Sequence, residues 1–430
     1  MSYLLFVLVI ALLCVCCFKG VPMPISGLIC ASLMLLCMGM NITEGLSETY
    51  MSGFVTFVKS YWMLLLFGSI FGKIIEVSGA ADSIAKAVMK LTGVKFVVLG
   101  MTLVTIILNA GGISIFVCIY AMFPICIKLC KEADLPRRFV LGAFGAGCCF
   151  ASGIPWTPSI NNMAPTSYLG TTASAAWLPG IVSSIIYLAA ALAFLTWCEK
   201  RAIKKEQHFE ASASEKALDN VVGADRNYPP FILSLLPLIA ILIALNVLSI
   251  SVNYSILIGC AVAVICLFPY LPHTWEDIKT QTGAACGQGM TAIINTSAVV
   301  GFGAVVQSTN VFAAIMAGVT GLNASPLLGA FVTTTVIAGI TGSSSGGIAA
   351  ASPILQQYFM PLYNAEALHR IATVGSLGLD SLPNCGFLQT EYSYAGCTFQ
   401  DAYPMAFVLS VVFTLAQALL LVALCPLFGF

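Results

Sequence analysis

Charge is what this sequence has least of. Asp, Glu, Lys and Arg make up 8 % of its 430 residues, against about a quarter in an ordinary soluble domain. That scarcity excludes a soluble globular fold. Hydrophobic residues are 59 % of the chain and the mean hydropathy is +0.97, the composition of a helical protein with many membrane spans. A basic tract able to grip nucleic acid is also missing, and a net charge of zero points to no partner. No soluble domain interrupts the chain: the longest polar stretch, 199–227, reads as a linker. The opening SYLLFVLVIALLCVCCFKG lacks the basic start and small-residue cleavage site of a signal peptide, so it reads as the first span. The 17 cysteines lie mostly in apolar segments (Cys14, Cys16, Cys17, Cys148, Cys149) without Cys/His ligand spacing. They read as small buried hydrophobes, and neither a metal nor a resident cofactor is expected.

What is there is a series of apolar runs. Hydropathy places spans near 3–18, 22–40, 57–76, 138–154, 174–198, 230–249, 254–270, 284–306, 368–381 and 405–427. Two runs do not fit. Residues 97–127 and 327–360 are 31 and 34 long, too long for one span of about 20 residues and too short for two. Each is interrupted midway by small polar residues: NAGGIS at Asn109–Ser114 and TGSSSGG at Thr341–Gly347. Two limbs meeting at a polar tip predict a re-entrant hairpin; a long glycine-kinked helix is the alternative.

A helix that breaks follows each of these runs. RRFVLGAFGAGCCFASGIPWTPSINN begins at Arg137, and HRIATVGSLGLDSLPNCG begins at His369. Both stop at a polar segment containing proline, which has no N–H to continue the ladder. The features recur at one offset. Asn109 and Thr341 are 232 residues apart, as are Arg138 and Arg370, and GKIIEVSG at Gly72 precedes GAVVQSTN at Gly303 by 231. The chain therefore reads as a duplication: an N-terminal repeat over 1–198, a linker over 199–228 and a C-terminal repeat over 229–430. The broken helices are placed at about 138–172 and 368–400.

Lys and Arg cluster on one side, at Lys19, Lys73–Lys95, Lys128–Arg138 and Lys200–Lys205, and are missing from 41–53, 155–172 and 307–325. The positive-inside rule makes the linker cytoplasmic. Five full spans before the linker then turn the second repeat upside down relative to the first. The fold class expected is an all-α polytopic membrane protein of two inverted-topology repeats, each with a re-entrant hairpin and a broken helix. That arrangement is a transporter signature.

Opened helix ends present N–H groups and positive dipole ends suited to a carboxylate. The tips offer Asn109, Gly111, Gly112, Ser114, Thr341, Ser343, Ser344 and Ser345. The breaks offer Thr157, Ser159, Asn161 and Asn162 on one side and Ser381 and Asn384 on the other. Hydroxyls and amides without Arg or Lys suit a small hydroxylated monoanion and argue against a polyanion. Asp380 is the one acid well inside a span-and-break unit, where an ionisable group is costly and functional by default. Burial disfavours its charged form, so H⁺ is the coupling ion expected; Na⁺ binding or the capping of a half-helix are the alternatives. His369 and Arg370 open a helix on the outer side and read as interface anchors, Glu76 as solvated or paired with lysine, and Trp177, Trp197 and Trp275 as an aromatic belt.

PWTPSINNMAPTSYLGTT (155–172) and GLDSLPNCG (378–386) resemble motifs of the gluconate permease family, within the ion transporter superfamily, and GITGSSSGGIAAA resembles its second hairpin tip. GLDSLPNCG is similar to the family's 3-hydroxybutyrate branch, with Asn384 and Cys385 in place of a His-Asn pair; Trp156 stands where glycine is usual. The resemblance implies a proton-coupled symporter of a small carboxylate in the inner membrane, working by an elevator motion, with lipid and a second copy of the chain as its partners. A channel or an intramembrane enzyme remains a remote alternative. Serine chemistry would need a base within reach of GSSSGG, and an aspartyl protease a second deep acid beside Asp380.

Overall fold

A computed structural model describes residues 2–93, 96–110, 115–157, 159–211, 228–248, 250–320 and 325–430. Helices are the regular secondary structure among these residues, and apart from single turns they fall into two successions of nine. The first comprises α1 (Ser2–Phe18), α2 (Met23–Cys37), α3 (Met51–Val77), α4 (Ala80–Thr92), α5 (Val97–Ala110), α6 (Ile115–Glu132), α7 (Arg138–Gly153), α8 (Ile160–Leu169) and α9 (Trp177–Lys204). The second comprises α10 (Phe231–Asn246), α11 (Val252–Leu267), α12 (Trp275–Gln307), α13 (Asn310–Thr320), α14 (Pro326–Thr341), α15 (Ser344–Ile354), α16 (Ala365–Gly375), α17 (Gly386–Ala395) and α18 (Phe399–Leu427). In both successions the third and the last helix are the longest. Hydropathy missed α4 and α13, which are too short to span.

Segments 177–204, 253–270, 275–307 and 399–427 are helices long and apolar enough to cross a bilayer. Large apolar side chains stand in the open on α9, α10 and α11, such as Ile185, Ile232 and Ile265. An apolar outer surface of this kind belongs in lipid. The chain has the build of a polytopic membrane protein.

The halves are stitched by the third and the last helix of each. At Gly53 a Cβ would lie 2.9 Å from Val300 O, and at Gly289 3.0 Å from Leu65 O. Backbones therefore touch at both ends of the α3–α12 crossing, which only residues without side chains permit. Because 53 meets 300 while 65 meets 289, the two helices run antiparallel. The α9–α18 pair does the same: Tyr187 donates to Leu409 O at 3.2 Å, and Gln417 to Ser184 Oγ at 3.2 Å. Other contacts are exchanged between halves. Helix α2 packs on α12 and α11 on α3; α8 packs on α15 and α17 on α6.

The second overlong run is a helix–turn–helix hairpin. Helix α14 ends at Gly342, whose φ of +61° a side chain would resist, and Ser343 caps α15 by accepting from Gly346 N–H. The limbs lie so close that a Cβ at Gly347 would come within 2.5 Å of Ala338 Cα. Helices α5 and α6 also lie side by side, with Thr105 Oγ1 3.7 Å from Met122 Sδ. Their tip, 111–114, falls outside the described residues. The broken helices are present as α7/α8 and α16/α17, interrupted at 154–159 and 376–385.

Candidate functional site

Both breaks, the second hairpin tip and the facing ends of α5 and α6 meet at one cavity of about 400 Å³. The first half contributes Asn109 from the end of α5, Phe116 from the head of α6, and Ser152, Ser159 and Asn161 from the first break. The second half contributes Ser344 and Ser345 from the head of α15, Asp380 and Ser381 from the second break, and Glu391 from α17. Tyr61, Leu64, Leu377, Phe387 and Leu388 supply the apolar wall. No Lys, Arg or His lines it among the described residues.

Local sequence explains the convergence. Ser159 and Ser343 end their turns in extended conformation, and each side chain accepts a hydrogen bond three residues on, from Asn162 and Gly346. A helix started in this way leaves its other leading N–H groups pointing outward. Helices α6, α8, α15 and α17 all place residues of their first turns on the cavity: Ile115, Ile160, Ser344 and Phe387. Four positive dipole ends therefore face one small volume, where they favour a negative charge.

Asp380 sits in a single 3₁₀ turn, 379–381. Ser381 Oγ donates to its Oδ1 at 3.0 Å, and the carboxyl group also faces the hydroxyl and backbone N–H of Ser344. Tyr403 steadies the turn by donating to Ser381 O at 3.2 Å. Glu391 is a second acid on the same cavity, which the sequence reading missed. Its side chain is 3 % exposed and its Oε1 accepts no hydrogen bond. The same rule that flagged Asp380 applies to it. It escaped because hydropathy ends the span at 381 and leaves 386–395 outside any membrane segment, whereas the chain resumes a buried helix there. Asp380 thus has the deep acidic neighbour that the sequence reading denied it.

Of the residues singled out from sequence, Asn109, Ser159, Asn161, Ser344, Ser345, Asp380 and Ser381 come together on the cavity. Four others hold the walls. Thr157 donates to Ile154 O at 3.0 Å within the first break, and Thr341 to Ala338 O at 3.2 Å below the hairpin tip. Ser343 is the cap of α15. Asn384 donates to Gly339 O at 3.1 Å, which ties the second break to the hairpin. Gly111, Gly112 and Ser114 lie outside the described residues.

His369 and Arg370 are not interface anchors; both are fully buried. Arg370 reaches across from α16 and donates to Gly153 O at 3.1 Å, Ala173 O at 3.0 Å, Ala175 O at 2.8 Å and Asn162 Oδ1 at 3.0 Å. Carbonyl oxygens at a helix end carry partial negative charge, so they can satisfy a guanidinium without a carboxylate. His369 lies 2.7 Å from Thr171 Oγ1 and 3.2 Å from Asn162 Oδ1. Contrary to expectation, a basic residue does sit at a break, but behind the cavity and not in it. The break also carries strain: Trp156, where glycine was the expected residue, has φ +67°. Glu76 pairs with Lys73 at 2.7 Å, well away from the cavity.

Comparison with known proteins adds independent information. A sequence model described as GntP family permease matches residues 1–255. The chain is similar to an uncharacterized transporter, YxjC, of Bacillus subtilis, with 28 % identity covering 97 % of both chains. It is also 24 % identical to an uncharacterized permease of Haemophilus influenzae, over 82 % of this chain and 77 % of that one.

Proposed function

Because the chain belongs to the GntP permease family and is a multi-pass membrane protein, we propose that it is a secondary active symporter. Its cargo is a small hydroxylated monocarboxylate, 3-hydroxybutyrate- or gluconate-like, and its coupling ion is H⁺. The single observation that carries this reading is the cavity. Four helix N-termini can balance one carboxylate there, hydroxyls and amides (Ser152, Ser159, Asn161, Ser344, Ser345) can hold a hydroxylated chain, and apolar walls exclude water. With no cationic side chain on the lining, a second anionic group on the cargo would go unbalanced.

Inverted repeats and an elevator motion belong to the same reading. Equivalent helices of two repeats related by an axis along the membrane normal would run parallel; α3–α12 and α9–α18 run antiparallel, which supports an axis in the membrane plane. In such an arrangement the hairpins dip to the midplane from opposite sides, and the linker lies in the cytoplasm. The hairpins and broken helices move as one body past a scaffold of the remaining helices, paired with that of a second copy in the inner membrane. A proton is preferred to sodium as the coupling ion because a carboxyl group as deeply buried as that of Asp380 is costly to keep ionised.

The test is uptake of radiolabelled 3-hydroxybutyrate and gluconate into proteoliposomes, with competition by a panel of C3 to C6 carboxylates. Accumulation above equilibrium under an inward proton gradient is expected. Equilibration without accumulation would make the protein a channel, and dependence on a sodium gradient would replace the coupling ion.

A further inference from the structure

The cavity contains two carboxyl groups and, among the described residues, no cationic side chain to balance them. Asp380 is met by donors, but Glu391 Oε1 is buried and accepts nothing. Asn109 Nδ2, 3 % exposed by residue and also on the cavity lining, is a buried donor with no acceptor. One free donor and one free acceptor facing the same space mark places that a ligand or a proton fills. We propose that Asp380 and Glu391 form a two-carboxyl coupling site, each taking one proton for every substrate monoanion carried, so that a cycle moves one net positive charge.

The argument is charge arithmetic and rests on the carboxylate–proton reading above. Two ionised carboxyls and a bound carboxylate would put three negative charges into one small volume poor in water, where they repel strongly. One proton leaves two negative charges. Two protons leave only the charge of the cargo, which the four helix N-termini can balance. The charged group facing Glu391 is Asp380; its other titratable neighbours are the thiols of Cys148, Cys149 and Cys385 and the phenol of Tyr392. Thiols and the nearby Phe387 and Leu388 do not make the oxygen shell that a hard cation requires, whereas a proton needs none. Each proton joins a carboxylate oxygen on the acidic side and leaves it on the other, and no other bond changes.

Stoichiometry decides the matter. The full-length protein in proteoliposomes is given radiolabelled 3-hydroxybutyrate or gluconate, and steady-state accumulation is read against imposed pH and potassium-diffusion gradients. Two protons per anion predict accumulation that rises about 100-fold per pH unit and about 50-fold per 100 mV, inside negative. Glu391→Gln and Asp380→Asn, each neutral in place of a titrating group, should both bring the pH response down to about tenfold per unit and remove the voltage response. A tenfold, voltage-independent response in the wild type overturns this inference while leaving one-proton symport standing. An unchanged pH response in Glu391→Gln also overturns it. Should that variant not fold, the wild-type slope and Glu391→Asp, which keeps the titrating group and the 100-fold response, still decide. Absence of any carboxylate uptake overturns the parent reading as well.

Discussion

Arg370 is a charged side chain sealed from water and held only by neutral oxygens. Its removal would strand those neutral oxygens without donors, at about 1–3 kcal/mol for each one left unsatisfied. Arg370→Ala should therefore lower the thermal unfolding midpoint of the detergent-purified protein markedly. Loss of the exposed Lys279–Glu276 pair through Lys279→Ala should change the stability by no more than about 0.5 kcal/mol and leave the midpoint nearly unmoved. Equal shifts in the two variants would mean that Arg370 does not clamp the break. Ser344 stands at the head of α15 on the cavity. Ser344→Trp should fill the space that the cargo would occupy and abolish carboxylate binding with little change in unfolding midpoint; wild-type affinity in that variant would remove the hairpin tip from the site.

Hairpin α14–α15 depends on one backbone angle and one close approach. At Gly342 an alanine would hold an unfavourable φ of +61° and press its Cβ to 2.5 Å from Asn384 O. The angle alone costs about 1–2 kcal/mol, and the contact is with backbone that cannot swing aside. Gly342→Ala should destabilise the protein by about 2 kcal/mol or more, against about 1 kcal/mol in either direction for Gly283→Ala, where nothing lies within 4 Å. Unfolding midpoints of the two variants compare these directly.

The start of the linker is a second local device. His208 Nδ1 lies 2.7 Å from Asp134 Oδ2, Phe209 N–H donates to Asp134 Oδ1 at 3.0 Å, and Arg137 donates to Glu210 O at 2.8 Å. Asp134 raises the pKa of His208, and His208 lowers that of Asp134. A raised histidine contributes below its folded pKa and is lost as pH rises through it; a lowered aspartate contributes above its usual pKa and is lost as pH falls. Docking of 207–210 is thus strongest between the usual aspartate range and the usual histidine range, and weakens as pH rises through the raised histidine value. Proteolytic cleavage there should be slower at about pH 6 than at about pH 9, and His208→Ala should flatten that difference.

At the scale of the molecule, α3 and α12 cross antiparallel with their backbones in contact. If the halves are inverted repeats, the segments that lead into α9 and into α18 face opposite sides of the membrane. Cysteines introduced at the exposed Thr172 and Thr398 should then react with membrane-impermeant maleimides added from the outside and the inside respectively, scored against the unsubstituted protein. Labelling of both from one side would contradict the inverted arrangement.

The scarcity of charge, the two runs of anomalous length and the common offset were enough to find the hairpins and the broken helices, because these are local matters of hydropathy, glycine and proline. Asn109, Ser159, Asn161, Ser344, Ser345, Asp380 and Ser381 were legible for the same reason: polar residues in apolar surroundings announce themselves one segment at a time. Which of the polar residues face the cavity and which hold up its walls was not legible. Thr341 and Ser344 are three residues apart, yet one bonds back into its own helix and the other opens onto the cavity. The partnership of Arg370 with 153–175 joins residues brought together only by the packing of one half on the other, and that of Glu391 with Asp380 arises where the helix resumes beyond the second break. Segment character is set by neighbours along the chain, whereas the environment of a buried charge is set by whatever the fold brings against it, and only the tertiary structure decides that.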